Sequence, residues 1–197
     1  MEIRSTDVVP YPVDEVLHTF RDRMPEITEY IRNVDRIVVE KREDLGKGKV
    51  HLINHWYAVG EIPAVARAFV KPDMLSWRDD ATWDEAERTA TWKLETFFFR
   101  ESVRCYGTTR FVPKGDAATE VRIEANLEIR LGDLPMVPTL LRKKVSAEIE
   151  RFIASLIGPN LKNATIGVQK FLDANPPSHA SKTKPAAKPA AKKRSKS

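Results

Sequence analysis

Residues 139–157 read TLLRKKVSAEIERFIASLI, the longest segment of the chain with one clear periodicity. Leu141, Val145, Ile149, Phe152 and Leu156 recur at helical spacing, with Leu140, Ile153 and Ile157 beside them. Lys143, Lys144, Glu148, Glu150 and Arg151 gather opposite, so the segment predicts an amphipathic helix with one wide apolar face. At roughly 100° per residue, Arg142 and Ser146 interrupt the apolar arc and should border whatever the helix covers. Gly158-Pro159 then predicts a break, after which Asn160 to Leu172 is expected as a second helical segment.

What the helix covers should be a sheet. Thr119 to Leu131 is the cleanest alternation in the chain: Val121, Ile123, Ala125, Leu127, Ile129 and Leu131 fall on one face, and Arg122, Glu124, Asn126, Glu128 and Arg130 on the other. Three more strands are expected before it, at Met74 to Trp83, Arg88 to Phe99 and Ser102 to Pro113. Val34 to Lys41 and Val50 to Val59 flank the turn residues 44–48, DLGKG, and predict a hairpin. Upstream, Ile3 to Val9 alternates as an edge-type strand until Pro10 and Pro12 remove backbone donors. Val13, Val16, Leu17 and Phe20 share a helical face, and a second short helix follows Pro25 through Ile27, Tyr30 and Ile31. Residues 61–70, EIPAVARAFV, make a short amphipathic turn that serves either as a connector packed on the core or as a mobile lid.

The order strand, two short helices, six strands and a long C-terminal helix resembles the helix-grip fold of the START and birch-pollen-allergen superfamily, SRPBCC. The resemblance implies an α+β architecture in which a curved antiparallel sheet wraps the C-terminal helix around an apolar cavity. It covers about residues 1–174, and the domain is expected to end at residue 175. Within the superfamily the chain is similar to PRELI-like lipid-transfer proteins and to uncharacterised bacterial relatives. Residues 61–70 lie at the position of the PRELI lid loop, and residues 87–113, ERTATWKLETFFFRESVRCYGTTRFVP, follow a similar strand-turn-strand pattern. Some members of the superfamily cyclise or dehydrate polyketides in the same cavity.

By alternation, the expected ligand-facing set is Trp92, Leu94, Val103, Cys105, Phe111, Ile123, Leu127 and Ile129 from the sheet. Ile149, Phe152 and Arg142 are expected from the helix, and Ile62 and Phe69 from the lid. The small residues Cys105, Gly107 and Ala125 either leave volume for a ligand or admit bulky helix side chains such as Phe152. Arg142 either meets an anionic head group or snorkels to water. Trp56, Trp77, Trp83 and Trp92 read as packing rather than as a cofactor box. The strand interiors show no acid/base pair, leaving His55 and Tyr57 as the titratable candidates for a cyclase-like enzyme. His51 and His55 are about 13 Å apart along an extended strand, too far to share a metal. No metal, cofactor or catalytic residue is assigned, because Gly-rich phosphate loops, GxSxG elbows, HExxH helices and zinc-type cysteine sets are missing from the sequence.

Composition narrows the partners. Residues 176–197 carry seven Lys or Arg and no acidic residue, leaving 26 basic against 28 acidic side chains elsewhere, so the formal charge of +5 belongs to this tail. The tail has no large apolar residue and is expected to be disordered. Its Lys182, Lys184, Lys188, Lys192, Lys193, Arg194 and Lys196 suit peripheral contact with an anionic membrane or nucleic acid. One cysteine excludes an internal disulfide, and no apolar run approaches the roughly 20 residues of a membrane span. With no segment of signal-peptide type, a cytoplasmic location is expected. The favoured reading is non-catalytic binding or transfer of a hydrophobic or amphipathic small molecule, with lipid as the leading class. The alternatives are a cyclase- or dehydratase-like enzyme and a nucleic-acid-associated protein acting through its tail.

Overall fold

The computed structural model describes residues 1–64, 67, 71–97, 99–131 and 139–176 of the 197. Seven strands form one antiparallel sheet: β1 (Glu2–Val9), β2 (Val34–Gly46), β3 (Lys49–Ala58), β4 (Ser76–Asp84), β5 (Thr89–Thr96), β6 (Val103–Pro113) and β7 (Thr119–Ile129). Their spatial order is β1-β7-β6-β5-β4-β3-β2. From β2 to β7, successive strands are spatial neighbours. The first strand instead pairs with the last, Ile3 opposite Ala125, so β1 and β2 are the two edges. The chain crosses between these edges through α1 (Val13–Asp22), α2 (Met24–Ile27) and a short 3-10 turn at Thr28–Tyr30.

Side-chain alternation makes one sheet face apolar. β3 and β7 bury every second residue almost throughout, with Val50, Leu52, Trp56, Val121, Ile123, Ala125 and Leu127 buried. One row of this face runs Leu52, Ala81, Trp92, Gly107, Ala125 in register across five strands. Gly107 has no space for a side chain, since a Cβ there would lie 2.4 Å from the Glu124 carbonyl oxygen and 2.7 Å from the Trp92 ring. The volume released by this glycine is therefore taken by Trp92. In the β2–β3 turn, Gly46, Lys47 and Gly48 all have positive φ, and Asp44 Oδ1 accepts the Gly46 N–H at 2.8 Å.

The apolar face is covered by α1, by α2 and by α3 (Thr139–Ala174). In α1, Val13, Val16, Leu17 and Phe20 are buried, and Asp14 and Glu15 sit in the first turn, where the helix dipole favours negative charge. α3 departs from the expectation at Gly158-Pro159. It is one helix of 36 residues with Pro159 inside it. The proline deprives the Ser155 carbonyl of its i+4 donor, a cost of about 3 kcal/mol in a helix interior. Burial on both sides offsets this, since Ile149, Phe152, Ile153 and Ile157 precede the proline and Ala164, Val168, Phe171 and Leu172 follow it, all buried.

The N-terminal end of α3 also departs from the expectation. No residue before Ile149 is buried; Leu140 is 97% exposed and Leu141 51%, so the apolar arc read from the sequence is wider than the face that packs. Further on, Gly167 allows close approach of the 3-10 turn, because a Cβ there would meet Ile31 Cγ1 at 2.6 Å and Ile27 Cγ2 at 3.0 Å.

Within residues 61–70, expected as a connector or a lid, Ile62 is buried, the Arg67 N–H donates to the Pro63 carbonyl at 3.2 Å, and Arg67 Nε donates to the Ile62 carbonyl at 2.9 Å. Residues 65, 66 and 68–70, the 132–138 connection and residues 177–197 lie outside the described residues. No helix among the described residues is long and apolar enough to cross a membrane.

Candidate functional site

Strand β4, read as SWRDDATWD, decides the chemistry of the inner face. Its period of two sends Trp77, Asp79, Ala81 and Trp83 toward the helices, and places a carboxyl group among indole rings. Trp56 from β3 stacks on Trp77 with ring centroids 5.8 Å apart, and Trp83 stacks on Phe111 at 5.9 Å. Ala90, Trp92 and Leu94 of β5, Thr109 of β6 and Ile123 of β7 continue the floor. Phe20, Met24 and, from α3, Ile157, Asn160, Leu161 and Ala164 close it from above. The enclosed volume is about 70 Å³.

The polar atoms in this apolar chamber are few and mostly unmatched. Trp92 Nε1 donates to Thr109 Oγ1 at 3.0 Å. Trp56 Nε1, Trp83 Nε1, Asn160 Oδ1 and Asp79 Oδ1 are sealed from solvent and have no protein hydrogen-bond partner among the described residues. Each such group left unmatched costs on the order of 1–3 kcal/mol. Desolvation pushes the Asp79 carboxyl up from 3.8 to about 7, and the charge of adjacent Asp80 adds to the rise. Cys105 is buried close by, and its thiol is pushed up to about 12, by burial first and by Asp79 second.

The opposite face of the sheet shows how differently its acids are treated. Asp80 accepts from His51 Nε2 at 2.8 Å and pairs with Lys93 at 3.1 Å, and these partners outweigh desolvation to hold its carboxyl below the usual value. His55 stacks between Tyr57 and Phe97, with centroids 4.1 and 4.7 Å away, and its Nδ1 lies 3.0 Å from Glu40 Oε1. Arg36 covers the Tyr57 ring and Arg78 the Phe97 ring, while Arg78 Nε donates to Glu40 Oε2 at 2.7 Å. His55 and Tyr57 thus belong to an outer-face column, separated by the sheet from the cavity, since their strand neighbour Trp56 faces inward. This corrects their candidacy for chemistry inside the chamber. A wider hollow of about 850 Å³ involves the outer face, but its Arg78, Lys93 and Arg100 are already paired with Glu40, Asp80 and Glu95. No group of three potential metal ligands occurs among the described residues.

The ligand-facing set expected from the sequence divides in the structure. Trp92, Leu94 and Ile123 line the chamber. Val103, Cys105, Phe111, Leu127, Ile149 and Phe152 are buried in the same apolar core without lining it, and Ile129 is half-buried. Ile62 is buried after β3, Arg142 is half-buried in the exposed N-terminal part of α3, and Phe69 lies outside the described residues. The residues that give the chamber its polarity, Asp79 and Asn160, were missed. Asp79 was visible in the alternation of β4, whereas Asn160 follows the Gly158-Pro159 pair and was hidden by the expected helix break.

Comparison with known proteins bears on the fold. No protein-family model and no curated protein matches the chain. Solved structures do. A protein of Thermus thermophilus superposes with a TM-score of 0.60 at 19% identity, covering 90% of this chain and 100% of its own. An aromatase/cyclase from a Streptomyces species gives 0.53 at 18% identity, covering 88% and 95%. Norcoclaurine synthase from Thalictrum flavum, in complex with dopamine and hydroxybenzaldehyde, gives 0.57 at 15% identity, covering 92% and 89%. The fold is the helix-grip fold that these structures share.

Proposed function

We propose that the chain binds a compact, mainly apolar small molecule, aromatic rather than a lipid chain, between the sheet and α3. The observation that carries this reading is the joining of four indole rings to one chamber in which two N–H donors, an amide oxygen and a carboxyl oxygen have no protein partner among the described residues. Aromatic walls supply transfer energy and stacking. The unmatched polar atoms supply orientation, because a ligand that pairs them satisfies groups the protein itself leaves unpaired. At about 70 Å³ the chamber is below the roughly 300 Å³ of ordinary ligand pockets, so the rim must yield on binding. Met24 is unbranched and adaptable, and Leu94 and Leu161 are half-buried, which makes these three the movable side chains. An acyl chain would need a longer channel and would leave the four polar atoms unpaired.

A second reading is favoured by Asp79. A carboxyl group at about 7 is close to balance between acid and base at neutral pH, the condition for efficient proton transfer. In this reading Asp79 takes a proton from the carbon between a carbonyl and a hydroxyl-bearing carbon of the bound molecule and returns it to that hydroxyl. The C–H electron pair becomes a C=C bond as the C–O bond breaks and water leaves. That is the kind of ring-forming or dehydrating chemistry consistent with an aromatase/cyclase on the same fold. The basic residues 176–197 fit either reading as a tether to an anionic surface, and deleting residues 176–197 would abolish that attachment without altering affinity for the small molecule.

The test is native mass spectrometry of the purified protein, followed by denaturing extraction. A stoichiometric aromatic or amphipathic compound supports the reading. A bare mass that persists after incubation with an aromatic compound library overturns it.

A further inference from the structure

The charge balance of the chamber narrows the ligand class. Among the described residues lining it, Asp79 is the one that carries a formal charge, and no Lys, Arg or His lies opposite. Along β4 the next carboxylate, Asp80, points outward and is neutralised by His51 and Lys93. On the strands beside Asp79, the registered neighbours are Asn54 and Leu94, and beyond Leu94 lies Cys105, whose thiol remains neutral at physiological pH. The elements above contribute Phe20, Met24 and Asn160. A buried carboxylate with no counter-charge is unfavourable, and indole faces attract cations rather than anions.

Resting on the binding function proposed above, we infer that the natural ligand carries a protonated nitrogen, which Asp79 Oδ1 and Asn160 Oδ1 accept hydrogen bonds from while the tryptophan rings surround it. An ammonium group has donors for both oxygens, and its charge restores Asp79 to the ionised form. The Trp56 and Trp83 N–H groups then take an oxygen acceptor on the same molecule. Neutral polar ligands would satisfy the amide and the indoles but leave the carboxylate charge uncompensated. An anionic ligand is excluded by repulsion from Asp79.

Titration of the full chain with benzylamine and with ethylbenzene, which replaces the amino group by a methyl group, separates recognition of the cation from occupancy of the chamber. At pH 8 benzylamine should bind at least tenfold more tightly than ethylbenzene. Asp79→Asn should remove that tenfold preference. Below pH 7 the affinity for benzylamine should fall about tenfold per pH unit, as Asp79 takes up the proton that the cation must displace. Ethylbenzene binding as well as benzylamine to the wild-type chain would overturn the cation assignment and leave the cavity reading standing. Failure of both to bind would overturn the cavity reading itself. The wild-type comparison stands whether or not the variant folds.

Discussion

Asp79 makes the stability of the protein depend on pH in a direction opposite to that of its other shifted carboxylates. In the folded chain its carboxyl is raised from 3.8 to about 7. Between these values the unfolded chain has lost the proton and the folded chain retains it, so the folded state binds more protons and its stability falls as pH rises. Above about 7 both states are ionised and the effect levels off. A shift of this size corresponds to about 4 kcal/mol in total, of which about 2.5 kcal/mol develops between pH 5 and pH 8. Asp79 is half-buried as a residue although Oδ1 is sealed, and allowance for solvent screening reduces the expected effect to about 1–2 kcal/mol over that range. Asp22, Glu40, Asp80, Asp84, Glu85 and Glu120 are all held below their usual values, and would destabilise the fold toward acid rather than toward base. The contribution of Asp79 is therefore isolated by difference. Urea unfolding of the wild type and of Asp79→Asn, at pH 5 and at pH 8, should show the variant gaining about 1–2 kcal/mol relative to the wild type at the higher pH. A difference between the two proteins that does not change with pH would refute the burial argument for Asp79.

Other consequences follow from particular contacts. Gly107→Ala must push Trp92 or the Glu124 backbone aside, and should lower the unfolding midpoint by the equivalent of about 1–3 kcal/mol while changing the fluorescence of the tryptophan cluster. Pro159→Ala restores a donor for the Ser155 carbonyl and should stabilise the chain by about 1–2 kcal/mol, after allowance for the greater freedom of the unfolded alanine variant; a loss of stability on thermal unfolding would contradict the continuous helix. His55→Ala dismantles the outer column between Tyr57 and Phe97, and should cost about 1 kcal/mol without altering small-molecule affinity beyond twofold; a tenfold loss by calorimetric titration would place the site on the wrong face.

Much of the architecture was legible because it rests on periodicity. The alternation of β7, the hairpin around Gly46 and Gly48 and the apolar face of α1 are local patterns with one physical interpretation each. The helix α3 was legible in type and not in extent. Propensity argues that Pro159 ends a helix, but the packing of Ile157 and Asn160 on one side and Ala164 and Val168 on the other is tertiary information. The exposure of Leu140 and Leu141 is equally tertiary, since an apolar face predicts burial only where something lies against it.

The site was half legible. Trp92, Leu94 and Ile123 follow from alternation alone. The sequence presents the tryptophans as packing, and they do pack, yet all four line the chamber and two of them, Trp56 and Trp83, carry sealed N–H groups without a partner among the described residues. Asp79 stands next to Asp80, and a pair of acidic residues in a strand reads as a solvated turn or surface until the register assigns each to a face. Alternation with Trp77, Ala81 and Trp83 puts the first acid on the inner face and the second on the outer one.

The most direct test of the cavity is the nitrogen–proton NMR spectrum of the indole groups, of which the chain has four. Trp56 and Trp83, assigned by Trp56→Phe and Trp83→Phe, line the chamber with sealed N–H groups that have no partner among the described residues, and Trp92 donates to Thr109. Titration with a soluble aromatic amine should shift the Trp56 and Trp83 resonances in a saturable way, with a smaller change at Trp92. Unmoved indole signals, with shifts confined to outer-face residues such as His55 and Phe97, would contradict the account.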